Sequence, residues 1–394
     1  MSRHMWPLAL ATFAVGTDGF VIAGLLPAIG ADLGVSVATA GQLVTAFAVT
    51  FAVGAPVLSW VTSGLDRRTA LLGALVVFVV GNALTALAPV FALVLAARML
   101  TALGAATITS SASSTAVALA DPARRGRALA LVLSGLTLAT TTGLPLGTLI
   151  GRADWRLTLW AVGAVGTVAA VGVALGVPLV RLPGTGFRGR LTPLRDARVL
   201  RVLMVTLMSM AGPYLLYTYI GAALRGTIGP SPWTLTLLLF AWGVGVLAGT
   251  VLAGRLADRF PPQTVVAGAL VALTATLGAS PMMVHGLPPT FIWIVAWGVA
   301  VGLPTVPQQQ QLVTFAPAAS PVLLGLNSSA IYLGIAAGAA LGGLAQAWFP
   351  ASALGLPAAA LTAMALPLTL VTSRRSNPRP STTATCVAGA DPVR

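Results

Sequence analysis

Long apolar runs, separated by short polar segments, dominate the chain. A run of about 17–25 apolar residues is the length that crosses a hydrocarbon core of roughly 30 Å as an α-helix. Strands are excluded because the runs do not alternate and open sheet edges cannot face lipid. The pattern predicts an all-α membrane protein with twelve transmembrane helices. The predicted spans are 6–30, 40–62, 70–88, 91–119, 128–151, 157–180, 201–223, 233–254, 263–284, 289–312, 321–347 and 352–372.

Composition excludes a soluble protein. Hydrophobic residues make up 57% of the chain and charged residues only 8%, whereas a soluble domain carries about 25% charged residues. The net charge of +14 would suggest nucleic acid in a soluble protein. Here the arginines lie in short loops between apolar runs, so we expect a lipid bilayer and no nucleic acid as the surroundings of the chain.

The arginines also predict orientation, because cytoplasmic loops of membrane proteins are enriched in basic residues. With the N-terminus in the cytoplasm, eighteen of the 22 arginines face inward. Arg152, Arg156 and Arg225 face outward, and Arg98 lies within a span. This segregation predicts a multi-pass protein of the inner or plasma membrane with both termini in the cytoplasm.

An internal repeat divides the chain. Two GxxxGxxxG patterns, in the fifth and eleventh spans, are offset by 191 residues. They comprise Gly143, Gly147 and Gly151 in the first half, and Gly334, Gly338 and Gly342 in the second. Asp66-Arg67 and Asp258-Arg259 repeat at an offset of 192 residues.

Two features at nearly the same offset predict duplicated halves, as in parallel-repeat transporters. We expect two pseudo-symmetric six-helix bundles at 1–180 and 201–372. A cytoplasmic linker at 181–200 would join them, and a disordered tail would follow at 373–394 because that segment lacks large apolar residues.

The glycine patterns allow two helix backbones to approach closely. Pro145, between Gly143 and Gly147, predicts a kink. The pattern is compatible with a hinge or sealing interface, and equally with tight packing alone.

Asp18 lies near the middle of the first predicted span. A charged group there costs about 2.5–3.5 kcal/mol, and such groups usually face a cavity, a partner charge or a proton pathway. Burial favours the neutral acid, which helps a carboxyl group to gain and lose a proton. Asp18 is therefore a candidate for proton coupling or substrate contact. The alternative is a carboxylate satisfied by hydrogen bonds between helices.

Arg98 is the second charge inside a span, roughly 10 Å from the outer end of the fourth. Its depth differs from that of Asp18 by about 7 Å, which an arginine side chain can largely cover. We expect the two to interact if their helices touch. The alternative is an arginine that reaches outward to lipid phosphate.

Two loops place an Asp beside arginines at cytoplasmic helix ends: Asp66, Arg67 and Arg68 in the first half, Asp258 and Arg259 in the second. Such residues can form charge-assisted hydrogen bonds to helix termini. They are a candidate conformational latch, and the alternative is simple positive-inside anchoring.

Sparse polar side chains in the later spans are candidates for a substrate cavity: Tyr214, Tyr217, Gln308 and Asn327. Polar groups within spans usually face the bundle interior, and aromatic pockets with few polar groups suit small amphipathic molecules. The tyrosines are equally compatible with an interfacial aromatic belt.

The sequence contains no nucleotide-binding loop, catalytic triad or metal-ligand cluster, and its single cysteine, Cys386, lies in the polar tail. We expect no enzyme activity, cofactor or metal. A membrane enzyme or receptor would need a catalytic constellation or a sensor domain, and the loops are too short for either.

Several of these segments, within residues 6–372, resemble the major facilitator superfamily, in particular twelve-span drug:proton antiporters of the chloramphenicol and sugar exporter branch. The similar segments are Gly16–Pro27, Asp32–Ser36, Asp66–Arg68, Arg98 with Gly104, Arg125–Ala128, Gly143–Gly147, Trp155-Arg156 and Gly254–Arg259. Relatives often carry an acidic residue where Gly19 stands, so carboxylate chemistry here would depend on Asp18 alone.

The resemblance implies proton-coupled efflux of small amphipathic or hydrophobic compounds by alternating access between the halves. Asp18 would take up a proton from outside, and Arg98 would adjust its proton affinity. The expected partners are a small-molecule substrate, protons and the bilayer, with a monomer as the expected state. The alternative within the same class is uptake or facilitated transport of a nutrient such as a sugar or nucleoside.

Overall fold

The computed structural model describes residues 2–121, 125–180, 192–228, 233–315 and 319–369. Twelve long helices, α1–α12, account for most of them. Their bounds are Ser2–Asp32, Val37–Val61, Arg67–Leu87, Phe91–Leu119, Arg127–Ile150, Trp155–Gly176, Ala197–Tyr217, Thr234–Ala257, Pro262–Gly278, Leu287–Phe315, Ser320–Ala345 and Ala351–Thr369. The prediction of an all-α membrane fold is confirmed. The predicted tail, and the predicted linker as far as residue 191, lie outside the described residues.

Eleven of these helices are long and apolar enough to cross a membrane, whereas α9 is shorter. The sequence predicted a ninth span at 263–284. In the structure, α9 ends at Gly278 and a separate turn, Ser280–Met283, follows. Pro281 lies in the first turn of that short segment. Because proline has no N–H to donate, it interrupts the helical hydrogen bonds here.

Polar loop residues fix where several helices begin. The side chains of Ser36, Asp66, Asp154 and Asp196 accept hydrogen bonds of 2.8–3.0 Å from backbone N–H groups in the first turns of α2, α3, α6 and α7. Each such cap satisfies a donor that has no partner within its own helix. The caps stand at the boundaries where apolar runs resume, so the helices start close to where the hydropathy pattern changes.

Helix packing repeats with a shift of six helices. In the first half α1 packs on α5 and α6, α2 on α4, and α3 on α4 and α6. In the second half α7 packs on α11 and α12, α8 on α10, and α9 on α10 and α12. The chain therefore folds as two pseudo-symmetric six-helix bundles. Between the bundles, α2 packs on α11 and α5 packs on α8.

The repeated glycines lie at equivalent helix pairs. In the first half, the three glycines of α5 face side chains of α1: Gly143 faces Thr17, Gly147 faces Val21 and Gly151 faces Leu25. In the second half, the three glycines of α11 face α7: Gly334 faces Met210, Gly338 faces Ala211 and Gly342 faces Leu215. At α7 the neighbours include main-chain atoms, so the helix axes approach more closely than side chains would allow.

The apolar core is not distributed evenly along the bundle axis. At the end where α1 finishes, one continuous cluster joins both halves, with Leu26 and Ile29 of α1, Leu238 of α8 and Tyr217 and Leu224 from the α7 region. At the end where α1 begins, the buried residues form separate clusters, one in the first half and two in the second. The halves are therefore held together mainly at one end.

Substitution of Gly338 by Ala should destabilise the protein by roughly 1–3 kcal/mol, the usual cost of overpacking. A methyl group there would lie 2.9 Å from the backbone nitrogen of Leu215, so α11 and α7 would have to separate. Thermal unfolding of the purified full-length protein in detergent measures the effect.

Gly325→Ala is the matched control, because it lies in the same helix and a methyl group there meets no atom within 4 Å. It should leave the unfolding temperature unchanged or raise it, since alanine favours helix. Equal unfolding temperatures for the two variants would contradict close backbone packing at Gly338.

Candidate functional site

An ion pair lies buried at the centre of the first bundle. Arg98 of α4 donates from Nη1 to Oδ1 of Asp18 at 2.6 Å and from Nη2 to the Asp18 carbonyl oxygen at 3.4 Å. The two residues are 1% and 0% exposed. Neither charge could be held alone at this depth. The structure thus brings together the two intramembrane charges identified in the sequence.

The pair is only partly satisfied. Within the described part of the chain, Oδ2 of Asp18 and Nε of Arg98 are buried and have no hydrogen-bond partner. The guanidinium also lies over the ring of Phe47, 4.5 Å from its centroid. Cation–π attraction of this kind stabilises a desolvated arginine. The carboxylate therefore keeps one oxygen available to accept a hydrogen bond or a proton.

A small cavity between the bundles borders this pair; the empty space around it, open solvent included, is about 340 Å³. Arg98 forms part of its wall, so the ion pair borders the space between the halves. The other lining residues come from α1, α2, α7 and α11 and are mostly aromatic or aliphatic: Gly19, Phe20, Ile22, Val44, Phe47, Ala48, Tyr214, Tyr332 and Ile335. This combination of apolar walls with few polar groups is typical of small-molecule sites.

The four residues predicted to line one substrate cavity are separated in the structure. Tyr214 lines the cavity beside Arg98, whereas Gln308 lines a second cavity at one end of the C-terminal bundle. Tyr217 donates to the carbonyl oxygen of Phe20 at 3.3 Å, and Asn327 accepts from Thr206 at 3.0 Å. Polar groups between helices also satisfy one another, and a shared substrate cavity for all four residues stays a prediction.

An aromatic cluster lies behind Tyr214 in the second bundle. The Tyr217 ring lies 5.3 Å from that of Tyr214 and stacks on Trp242 at 4.5 Å, and Trp297 packs against both Trp242 and Trp293. Trp293 donates to a backbone carbonyl at 2.7 Å. By contrast, the indole N–H groups of Trp242 and Trp297 have no partner among the described residues. These two N–H groups are therefore free to donate hydrogen bonds, and they lie in the cluster that packs against Tyr214 of the cavity wall.

Helix α5 contains a π-helical turn, Ala139–Gly143, immediately before Pro145. The predicted kink thus coincides with an irregular turn, a feature that recurs at functional sites. The turn also faces the other half, since Gly243 of α8 packs directly against the backbone of Thr140 and Thr141. The irregular part of α5 therefore lies at the contact between the bundles.

The candidate latch residues make local contacts. Asp66 caps α3, while Arg67 donates its backbone N–H to Val180 at 2.8 Å and Arg68 donates to Ala174 at the end of α6. Asp258 and Arg259 are exposed, and their side chains have no ion-pair partner in the described ranges. The contacts given for Arg67 and Arg68 lie within the first bundle, and a latching role remains a prediction.

Charged groups also meet at the end where α1 finishes. Asp32 accepts from Arg156 at 2.5 Å and from the Trp155 indole at 3.1 Å, which ties α1 to α6. Arg152, in the turn after α5, lies over the Trp233 ring of the other half, 5.1 Å from its centroid. These contacts reinforce the end at which the apolar core already joins the two bundles.

Sequence reasoning missed Tyr332 and Phe47 as cavity residues. Tyr332 stacks on Phe51 of the other half with ring centroids 3.6 Å apart. The chain has four tyrosines, and Tyr332 is the one in the eleventh span. A tyrosine within a span was the signal that could have indicated a cavity position. Phe47 had no such signal, because phenylalanine is common in lipid-facing and core positions alike.

The fold and the site define a membrane protein of two repeated helix bundles with a buried ion pair beside a cavity between them, the architecture of a secondary transporter. The family model of the Major Facilitator Superfamily matches residues 8–221. The chain belongs to this superfamily, whose members are transporters.

Named relatives are consistent with this assignment. The chain is 37% identical over 278 residues to a chloramphenicol resistance protein of Streptomyces lividans, covering 69% of this chain and 71% of the relative. It is 32% identical over 389 residues to the inner membrane transport protein YdhP of Escherichia coli K12, covering 97% and 98%. A bacterial homologue of the lysosomal transporter Spinster shares the fold, with a TM-score of 0.74 at 19% identity over 95% of this chain and 97% of that one.

Removal of Arg98 alone should be costly. Arg98→Gln leaves Asp18 as a buried carboxylate without its partner, which typically costs about 3–5 kcal/mol. The double variant Asp18→Asn/Arg98→Gln should unfold at a higher temperature than Arg98→Gln, because it buries no unpaired charge. Thermal unfolding of the four proteins of this double-mutant cycle gives the coupling.

Arg156→Gln is the control. Its ion pair with Asp32 is 26% and 42% exposed, so its loss should cost only about 0–1 kcal/mol. If the effects of the Asp18 and Arg98 substitutions simply add, the two side chains do not form the pair described here.

Proposed function

We propose that the protein is a proton-coupled exporter of small amphipathic or hydrophobic compounds that works by alternating access. The observation that carries the proposal is the Asp18–Arg98 pair, which is buried beside a cavity between the two bundles. A membrane protein rarely keeps ionisable groups at such a depth without a use for them.

Asp18 is the proposed proton carrier. Protonation would remove its charge and weaken the 2.6 Å contact with Arg98, so the guanidinium would lose its counter-charge in a low-dielectric site. The cost of that unpaired charge can be relieved by water or by movement of α4 against α1. Proton binding would in this way favour one conformation of the transporter over the other.

The uneven apolar core supports alternating access. One end of the molecule is closed by a cluster that both halves share, while the buried residues at the other end belong to separate clusters. With the N-terminus in the cytoplasm, as the arginine distribution predicts, the closed end faces outward. Export then requires the contacts at that end to break, including the stacking of Arg152 on Trp233.

The cavity favours uncharged or amphipathic substrates. Its only ionised lining side chain, Arg98, is already paired with Asp18, and its other walls are mainly aromatic and aliphatic. The hydroxyl group of Tyr214 can orient a ligand. The chloramphenicol resistance relative supports export of such compounds. We propose that the chain acts as a monomer in the inner or plasma membrane, with both termini cytoplasmic.

Asp18→Asn should abolish transport driven by a pH gradient. The amide cannot carry a proton through the cycle, although it fits the same space. The measurement is accumulation of a substrate, with chloramphenicol as the first probe, in everted membrane vesicles. Exchange of labelled for unlabelled substrate without a gradient should persist in the variant, because exchange needs the cavity and the conformational change and does not need net proton movement.

Asp154→Asn is the matched control, because Asp154 is an exposed helix cap and asparagine caps equally well. It should accumulate substrate as the parent protein does. Undiminished gradient-driven accumulation by the Asp18→Asn protein would remove Asp18 from the mechanism. Accumulation in right-side-out vesicles instead of everted ones would indicate uptake.

A further inference from the structure

The second cavity lies at one end of the C-terminal bundle, away from the ion pair, and the transport mechanism does not use it. It is a small, open cavity formed by four helices, α7, α9, α10 and α12, and the empty space around it, open solvent included, is about 280 Å³. Its lining residues are Arg201, Val202, Val205, Gln263, Val266, Gln308, Gln311, Leu368 and Thr369. We propose that it binds the phosphate group of an anionic ligand.

Its lining charge is positive. Arg201 lines the cavity, and none of the acidic side chains that the structure describes does; Asp196, outside the lining, is close enough to attract Arg201 electrostatically. The nearby Asp196 is engaged by Arg198 at 2.9 Å, and this hydrogen bond lowers the pKa of the Asp196 carboxyl, so it stays ionised on Arg198. Arg201 itself has no ion pair within the described ranges. A guanidinium of this kind is well suited to a phosphate oxygen.

Neutral donors surround the same space. Gln311 is 8% exposed, lines the cavity and has no hydrogen-bond partner among the described side chains. Gln308 is 1% exposed and donates to Ser209 at 3.4 Å, a long contact. Gln263 lies in the first turn of α9, where the partial positive charge of the helix N-terminus favours an anion. The amide of Gln311 is not among the buried side-chain atoms that lack a partner, so it reaches the open space of the cavity, where it can donate to a ligand oxygen.

The arrangement by depth fits a phospholipid. Arg201, Gln263 and Thr369 lie at the ends of α7, α9 and α12, the level of the lipid headgroups for membrane-spanning helices. Deeper in the bundle Val205 and Val266 are buried and Leu368 packs against them, while Gln311 and Gln308 add polar groups from α10. Phosphate beside the polar helix ends, with the apolar side chains Val205, Val266 and Leu368 next to it, matches a headgroup followed by the start of an acyl chain. A free phosphate would use the polar part alone.

The test is thermal unfolding of the purified full-length protein in neutral detergent. Three titrants separate the chemistry: phosphatidylglycerol carries phosphate and chains, diacylglycerol carries chains only, and inorganic phosphate is compared with chloride at equal ionic strength. Phosphatidylglycerol should raise the unfolding temperature, and diacylglycerol should not. If inorganic phosphate alone gives the same rise, the ligand is a free phosphate; a rise with phosphatidylglycerol only assigns the site to a lipid.

Arg201→Gln should weaken the apparent affinity for the active titrant about tenfold or more, because a charge-assisted hydrogen bond is lost. Arg255→Gln is the matched control, since Arg255 is exposed on α8 and does not line the cavity. Gln311→Leu, which removes the unpartnered amide, serves as a second variant if Arg201→Gln fails to fold. The proposal is overturned if diacylglycerol matches phosphatidylglycerol, if no titrant acts, or if the cavity variants respond like the parent.

Discussion

Two opposite charges that neutralise each other inside the bilayer are the constraint on which the packing of the first bundle and the proposed mechanism depend. Neither Asp18 nor Arg98 could remain ionised alone at 0% and 1% exposure, because the cost of an unpaired buried charge is several kcal/mol. Their contact fixes α1 against α4. It also leaves one carboxylate oxygen and one guanidinium nitrogen without partners in the described structure. The pair is therefore buried and only partly hydrogen-bonded, which is the property that the proposed proton coupling uses.

The packing of the helices shows how a change at Asp18 could reach the contact between the two bundles. Glycines hold α5 on α1 in the first half and α11 on α7 in the second, so each half has a tightly packed helix pair. Contacts between the halves use other features: the π-helical turn of α5 against Gly243, and Tyr332 against Phe51. A change at Asp18 can therefore reach the interface through α1 and α5 while each bundle keeps its internal packing.

Most of the fold could be predicted from the sequence, because a hydrocarbon solvent leaves few choices. A span must be an apolar helix of a certain length, and eleven of the twelve predicted spans met that description directly. The glycine offset predicted the repeat, since duplicated halves keep small residues where helices touch. The ninth helix was predicted too long because one proline, Pro281, does not interrupt an apolar run in a hydropathy pattern, although it does interrupt the helical hydrogen bonds.

The candidate site was only partly predictable. Charges in a span stand out, so Asp18 and Arg98 were identified from the sequence. Their hydrogen bond, 2.6 Å from Nη1 of Arg98 to Oδ1 of Asp18, required only that α1 and α4 pack together. The cavity walls did not stand out, because Phe47 and Tyr332 look like ordinary core residues until the packing of α2 against α11 is known. The polarity of Asn327 predicted a place inside the bundle, and it is 0% exposed there, with Oδ1 accepting from Thr206 and Nδ2 without a partner among the described residues.

The two cavities differ in whether their charged lining residue has a counter-charge beside it, and this difference suggests different roles for them. The central one has a balanced ion pair, so a ligand adds no charge that the site needs, and release is as easy as binding. Arg201 in the second cavity has no counter-charge among the lining residues, and the carboxylate that attracts it, Asp196, is hydrogen-bonded to Arg198, so an anion in the cavity would add an electrostatic attraction. A transporter must release what it carries, whereas a bound structural ligand can stay. The balanced site therefore suits transport, and the unbalanced one suits a resident anion that steadies the C-terminal bundle while the halves move.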